Sequence, residues 1–309
     1  MKAIEHVRAH HIDSAKADWS RITADALAEI GGAQTPRDTY GAIRGVLGAL
    51  GEKHSFLLPA PAVRQGASSA RAAAPPASPP KPRLPTWKLM NGRYGVIRLP
   101  ALNTFGPGGP AAAEAYADAA RSAMNSLDAQ PLCGWIVDLR GNTGGNMWPM
   151  LQGVDPLLGP APFGYFVSVS NKVQAWQRQK GRVLAAQAAP DQSRPSYMLK
   201  HTAAPLAILL DGKTASSGEM VAIAFAGRPG VRSFGQRSAG YATANGGFPL
   251  SDGATLILTT AFVRDRAGTD YLDSLRPDVE AKPEEAEREA ARWLSSRCRE
   301  PQASSSMSQ

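Results

Sequence analysis

The spacing of apolar residues along this chain changes several times, and each change marks an element. Residues 1–58 follow a helical period. Ile12, Trp19, Ile22, Leu27 and Ile30 trace one apolar pattern, which Gly31-Gly32 ends. Thr35-Pro36 opens a second helix carrying Tyr40, Ile43, Val46, Leu47 and Leu50, and Gly51 closes it. Periodicity is lost over 63–86. There the run Arg71-Ala-Ala-Ala-Pro-Pro-Ala-Ser-Pro-Pro80 cannot build a core and predicts a linker or loop.

Strand-like patterning begins at Trp87. Trp87 to Met90, an Asn91-Gly92 turn, and Tyr94 to Leu99 predict a hairpin. The Ala-rich stretch 110–128 predicts a helix, Gly134 to Leu139 a buried strand, and Met147 to Leu151 a short helix. Phe163 to Val169 reads as strand. The charged, Gln-rich stretch from Asn171 reads as part of an insertion over the core near 160–200. Pro205 to Leu210 is a continuous apolar run, which Asp211-Gly212 turns toward a helix beginning near Met220. Val231 to Phe234, Gly247 to Leu250 and Ala254 to Val263 predict strands, and Glu284 to Cys298 predicts a terminal helix. The order implies an N-terminal helical region (1–62), a linker (63–86), a core (87–298) and a polar, disordered tail (299–309). Strands alternating with helices predict an α/β fold with a mixed, partly parallel β-sheet flanked by helices.

Composition narrows the class of protein. A chain of 309 residues can bury a sizeable core. No apolar run approaches the roughly 18 residues of a transmembrane helix, so no transmembrane segment is expected. The first eleven residues carry neither a signal-like apolar core nor a cleavage pattern. That fits both a protein kept inside the cell and one whose signal has been removed. The formal net charge of +8 permits attraction to anions. However, the basic residues are scattered and no aromatic-rich RNA-binding motif accompanies them, so no nucleic-acid partner is expected. Cys133 and Cys298 lack metal-ligand spacing, which predicts two free thiols and no metal site.

Four segments carry candidate chemistry. In Trp135-Ile-Val-Asp-Leu-Arg-Gly-Asn-Thr-Gly-Gly-Asn146 a buried strand empties into a glycine-rich loop, where backbone can approach a ligand and aim N–H groups at an anion. The same glycines suit a tight strand-to-helix turn, and the Gly-Lys-Ser/Thr element of a phosphate loop is missing. In Thr214-Ala-Ser-Ser-Gly-Glu-Met220, serines meet a helix N-terminus. Ser216-x-x-Glu219 has the form of a capping box, and a hydroxyl beside unpaired N–H groups also suits a nucleophile. The residues alone leave both readings open. In Gly51 to Phe56, His54 is the best-placed candidate base. His6, His10 and His11 crowd the terminus, and His201 precedes the core strand in a charged segment. Phe234 to Gly247 reads as a loop between strands with room for a bound chain.

Together and in this order, these segments resemble peptidase family S41, the tail-specific or C-terminal processing peptidases. Asp138-Leu-Arg-Gly-Asn-Thr-Gly-Gly145 and Thr214-Ala-Ser-Ser-Gly-Glu219 carry the resemblance. It implies a ClpP/crotonase-like α/β core and peptide-bond hydrolysis by a serine, which the motif puts at Ser216. The best-known branch pairs this serine with a lysine about 25 residues later. Here that position holds Tyr241, and no PDZ domain precedes the core. The tricorn-like branch, which includes the nisin-resistance protease, pairs serine with histidine, and His54-Ser55 matches its placement.

The resemblance therefore implies Ser216 as nucleophile and His54 as general base. N–H groups of Gly144 or Gly145 and of Ser217 would form the oxyanion hole. Ser55, Glu219, Tyr241, Asp270 and Asp273 are candidate supporting residues. A protein or peptide is the implied substrate, with no cofactor or metal required, and the family is often exported. Two alternatives stand beside this reading. One is a catalytically inactive peptide- or ligand-binding protein on the same fold. The other is a crotonase-type acyl-CoA enzyme using the glycine loop.

Overall fold

A computed structural model describes residues 1–51, 53–60, 83–105, 108–186, 197–200 and 204–298. The linker expected over 63–86 lies almost wholly, and the tail expected over 299–309 wholly, outside the described residues.

Helices α1 (Lys2–His10), α2 (Trp19–Glu29) and α3 (Tyr40–Gly48) lead to β1 (Phe56–Leu58). There follow β2 (Thr86–Met90), β3 (Tyr94–Arg98), α4 (Gly109–Asp128), β4 (Gly134–Asp138) and α5 (Met147–Gly153). Next come β5 (Gly164–Ser168), β6 (Val173–Gln179), β7 (Arg182–Ala186), β8 (Leu206–Leu210) and α6 (Ser217–Phe225). The chain continues through β9 (Val231–Gly235), β10 (Thr243–Pro249), β11 (Thr255–Asp265), β12 (Asp270–Tyr271), β13 (Val279–Glu280) and α7 (Pro283–Arg297).

Among the described residues the strands form two sheets. The first has the order β13-β9-β8-β4-β3-β2. It is parallel throughout except for β2, the antiparallel partner of β3 in the expected hairpin. Every residue of β4 and of β8 is buried, as continuous apolar runs require when both faces of a parallel sheet are covered. The strand period of two divides the side chains between those faces. Trp135, Val137, Leu206 and Ile208 pack with Tyr116, Met124 and Leu127 of α4 and with Val221 and Ile223 of α6. Ile136, Ala207 and Leu209 face the opposite way, onto Ala286, Ala290 and Leu294 of α7.

The second sheet is antiparallel and runs β1-β11-β5-β6-β7, with β10 and β12 also paired to β11. Helices α1 to α3 share a core with it. Val7, Ile22, Tyr40, Val46 and Leu47 pack with Leu57 of β1 and with Leu256 and Leu258 of β11. The segment expected as an insertion supplies β5, β6 and β7 instead. Phe163, Trp176 and Val183 from it are buried in the main core. Its polar composition has a physical outlet in the buried Arg178–Asp155 ion pair at 2.5 Å.

Two further expectations change. Cys133 and Cys298 are not free thiols. They form a disulfide with Cα atoms 5.7 Å apart, because α7 returns along the sheet and ends beside the start of β4. The stretch from Phe234 to Gly247 is not all loop, since β10 starts at Thr243 and pairs along β11.

Candidate active site

The two motif loops leave the carboxyl ends of adjacent parallel strands, β4 and β8, where open α/β sheets place ligand sites. Hydrogen bonds knit them together. Gly141 N–H donates to Asp211 Oδ1 at 3.0 Å, and Thr214 Oγ1 donates to the Leu139 carbonyl at 3.0 Å. Ala215 N–H donates to the Asn142 carbonyl at 2.9 Å. Arg140 folds back on Asp138 through Nε at 2.8 Å and Nη2 at 2.7 Å, and reaches the Pro283 carbonyl at the start of α7 at 2.6 Å.

Asn142 is fully buried and shapes the glycine loop from inside. Its Nδ2 donates to the Leu99 carbonyl at 2.9 Å, and its Oδ1 accepts from Gly144 N–H at 2.9 Å. The Gly144 N–H is therefore already engaged, which removes it from the expected oxyanion donors. Among the described residues the N–H groups of Gly145 and Ser217 make no hydrogen bond. Ser217 Oγ donates to the Gly145 carbonyl at 2.6 Å and ties these two residues together. The loop lies directly against the serine turn. A Cβ on Gly144 would stand 2.9 Å from Ser216 Cβ and 3.2 Å from Ser217 N.

Ser216 immediately precedes α6 with φ +50° and ψ −118°, a left-handed conformation that is costly for a residue with a side chain. Such strain persists only where the surroundings hold it. Here Glu219 does so, because the Ser-x-x-Glu pattern forms a capping box. The Glu219 carboxylate accepts from Ser216 N–H at 2.7 Å, Tyr241 N–H at 2.8 Å and Gly240 N–H at 2.9 Å, and from Ser238 Oγ. Glu219 is completely buried. Burial pushes its carboxyl above the usual range, while the four donors pull it back. One carboxylate thus fixes both the serine turn and the segment that leads into β10.

His54 comes from the opposite end of the sequence, yet its Nε2 lies 3.1 Å from Ser216 Oγ. The antiparallel pairing of β1 with β11 anchors the segment that carries it. Its Nδ1 lies 2.8 Å from Thr243 Oγ1. Asn245 Nδ2 donates to the His54 carbonyl at 3.0 Å, and the Tyr241 ring meets the imidazole edge-on at a centroid distance of 5.3 Å. Three alternate residues of one segment, 241, 243 and 245, therefore hold His54.

The other candidate supports have different partners. Ser55 Oγ accepts from Thr259 N–H at 2.9 Å, which anchors the backbone next to His54. Asp270 is bound by Arg264 through Nε at 2.5 Å and Nη2 at 3.0 Å. Asp273 packs against Gly240, its Oδ1 2.7 Å from where a Cβ there would sit. Thr243 went unsingled in the sequence. The available signal was its position two residues after Tyr241, which occupies the place of the lysine in the other branch.

Among the described residues, no cluster of three or more His, Cys, Asp or Glu side chains could hold a metal ion, and no helix is long and apolar enough to cross a membrane.

Relatives share this arrangement of elements. A sequence model of peptidase family S41 matches residues 93–281, more than half of the chain. The nisin-resistance protein of Lactococcus lactis subsp. lactis is 37% identical over 180 residues, which cover 58% of this chain and 55% of that protein. The chain thus spans about half the length of the curated relative it matches. A lipoprotein from Streptococcus agalactiae superposes with a TM-score of 0.74 and 25% identity, over 96% of this chain and 94% of that one. The photosystem II D1 C-terminal processing protease superposes with a TM-score of 0.59 over 92% of each chain; at 17% identity this is a likeness of fold. The mixed α/β architecture is that of the C-terminal processing protease, and the chain belongs to peptidase family S41.

Proposed function

We propose that this protein is a serine peptidase that cleaves a protein or peptide substrate through an acyl-enzyme. Ser216 is the nucleophile, His54 the general base, and the N–H groups of Gly145 and Ser217 the oxyanion hole. The observation that carries the reading is the 3.1 Å approach of His54 Nε2 to Ser216 Oγ on a left-handed serine turn.

In the first half-reaction the Ser216 hydroxyl proton passes to His54 Nε2 as Oγ bonds to the scissile carbonyl carbon. The carbonyl oxygen becomes an oxyanion and accepts from the two N–H groups, which need no reorganisation at that moment. Removal of one such donor typically costs about 3 kcal/mol of transition-state stabilisation. His54 then returns the proton to the leaving amine as the C–N bond breaks. Water, deprotonated by the same nitrogen, attacks the ester carbonyl; the acyl C–Oγ bond then breaks and His54 returns the proton to Ser216 Oγ.

A fluorophosphonate probe tests the reading. Wild-type protein is expected to be labelled, with labelling abolished in Ser216→Ala and much reduced in His54→Ala. A folded wild type that resists the probe would favour a non-catalytic binder. Turnover of an acyl-CoA thioester that survives Ser216→Ala would favour a crotonase-type enzyme.

A further inference from the structure

We propose that Thr243 is the positioning residue of this site. On this assignment its hydroxyl holds the His54 ring at Nδ1, so that Nε2 faces Ser216 Oγ. The proposal rests on the Ser216–His54 reading above and adds the third member of the hydrogen-bonded chain.

A neutral ring carries one hydrogen, on either nitrogen, and a hydroxyl partner can accept from the N–H or donate to the bare nitrogen. Nε2 can take the Ser216 proton only if the hydrogen resides on Nδ1. The Nδ1–H then needs an acceptor, and Thr243 Oγ1 lies 2.8 Å from that nitrogen. In the opposite tautomer Nε2–H would point at Ser216 Oγ and the base would be lost.

Thr243 is well placed to hold the ring in this orientation, and its hydroxyl can serve as that acceptor. It is 9% exposed, it opens β10 opposite Phe262 of β11, and its N–H donates to the Tyr241 carbonyl at 2.8 Å. As a β-branched residue it loses little side-chain freedom in holding its hydroxyl toward the ring. Glu219 grips Tyr241 N–H and Ser216 N–H with the same oxygen, Oε2. The orienting residue and the nucleophile are therefore positioned by one carboxylate, and His54 is suspended between them. Of the supports expected from sequence, Glu219 and Tyr241 take part in this arrangement, whereas Ser55 binds Thr259 N–H and Asp270 binds Arg264.

Two substitutions separate positioning from packing. Thr243→Val keeps the shape of the side chain and removes its hydroxyl; Thr243→Ser keeps the hydroxyl and removes the methyl group. Loss of one neutral hydrogen bond corresponds to about a tenfold fall in kcat, with KM nearly unchanged. Thr243→Val should show that fall, and Thr243→Ser should recover most of the wild-type kcat. Nitrogen-15 NMR of the His54 ring, recorded in a Ser216→Ala background, should report a hydrogen-bonded Nδ1 with Thr243 present and after Thr243→Ser. After Thr243→Val that hydrogen bond should be lost. Wild-type kcat and an unchanged Nδ1 signal in Thr243→Val would overturn the proposal. Equal impairment of the two variants would also overturn it, since that marks a packing role. A wild type that neither cleaves peptides nor reacts with the probe would overturn the peptidase reading instead. The NMR measurement on the same protein would then still decide whether Thr243 orders the ring.

Discussion

Replacing Gly144 with alanine puts the contact between the glycine loop and the serine turn under direct load. The new methyl group would lie 2.9 Å from Ser216 Cβ, 3.0 Å from the Ala215 carbonyl oxygen and 3.2 Å from Ser217 N. Carbon atoms rest about 3.5–4.0 Å apart, so relief requires the turn to move by about 0.6–1 Å. A misplacement of about 1 Å at reacting atoms costs on the order of 10²-fold in rate. The same shift would disturb Ser217 N–H, a proposed oxyanion donor. The φ of +100° at this glycine adds backbone strain of about 1–3 kcal/mol. Gly268 supplies the control, because its φ is +95° and a Cβ there would meet nothing within 4 Å. Both variants should lose about 1–3 kcal/mol of stability in urea denaturation. Only Gly144→Ala should lose kcat, by about 10²-fold, measured on a peptide library substrate with probe labelling in parallel. A folded Gly144→Ala variant with wild-type kcat, or an equal kcat loss in Gly268→Ala, would refute the reasoning.

Glu219→Gln replaces one acceptor oxygen by an NH₂ group facing donors, at about 1–3 kcal/mol for each buried N–H left unmet. Its thermal midpoint and kcat should both fall, and an unchanged kcat would contradict the positioning role of Glu219. Burial raises the Glu219 pKa in the folded state above its ordinary 4.5. The stability linked to its protonation is thus fully present below the unfolded pKa and is lost as pH rises through the folded one. The stability difference between wild type and Glu219→Gln should therefore shrink as pH rises through that window; a widening gap in urea titrations at several pH values would reverse the sign. The Cys133–Cys298 bridge spans a sequence separation of 165, for which chain entropy gives about 5 kcal/mol. Cys298→Ser, or reduction, should lower the thermal midpoint while leaving kcat intact at low temperature, because the bridge meets β4 at the end opposite the glycine loop.

Much of the frame was legible because the local signal and the tertiary demand agree. The apolar runs of β4 and β8 are short and bounded by turn residues, which favours buried strand, and the loops at their carboxyl ends lead to Ser216, Ser217 and the glycines. His54 stood out because the other histidines lacked a plausible setting. What stayed hidden depends on partners far away in sequence. Thr243-Ala-Asn-Gly-Gly247 has little intrinsic strand preference and becomes β10 only by pairing with β11, a tertiary override of propensity. The choice between Gly144 and Gly145 as oxyanion donor rests on a single side chain, Asn142, whose Oδ1 occupies the first N–H. The disulfide depends on where α7 ends, and β6 was masked by Gln177 and Arg178, polar residues buried in its interior.

The central claim is that Ser216, His54 and the two free N–H groups act on one carbonyl. The crystal structure of the fluorophosphonate-treated protein tests all three together. The expected adduct has a covalent bond from Ser216 Oγ to phosphorus, with the phosphonyl oxygen about 3 Å from both Gly145 N and Ser217 N and His54 Nε2 on the opposite side. An adduct on another residue, or a phosphonyl oxygen turned away from both N–H groups, would contradict it.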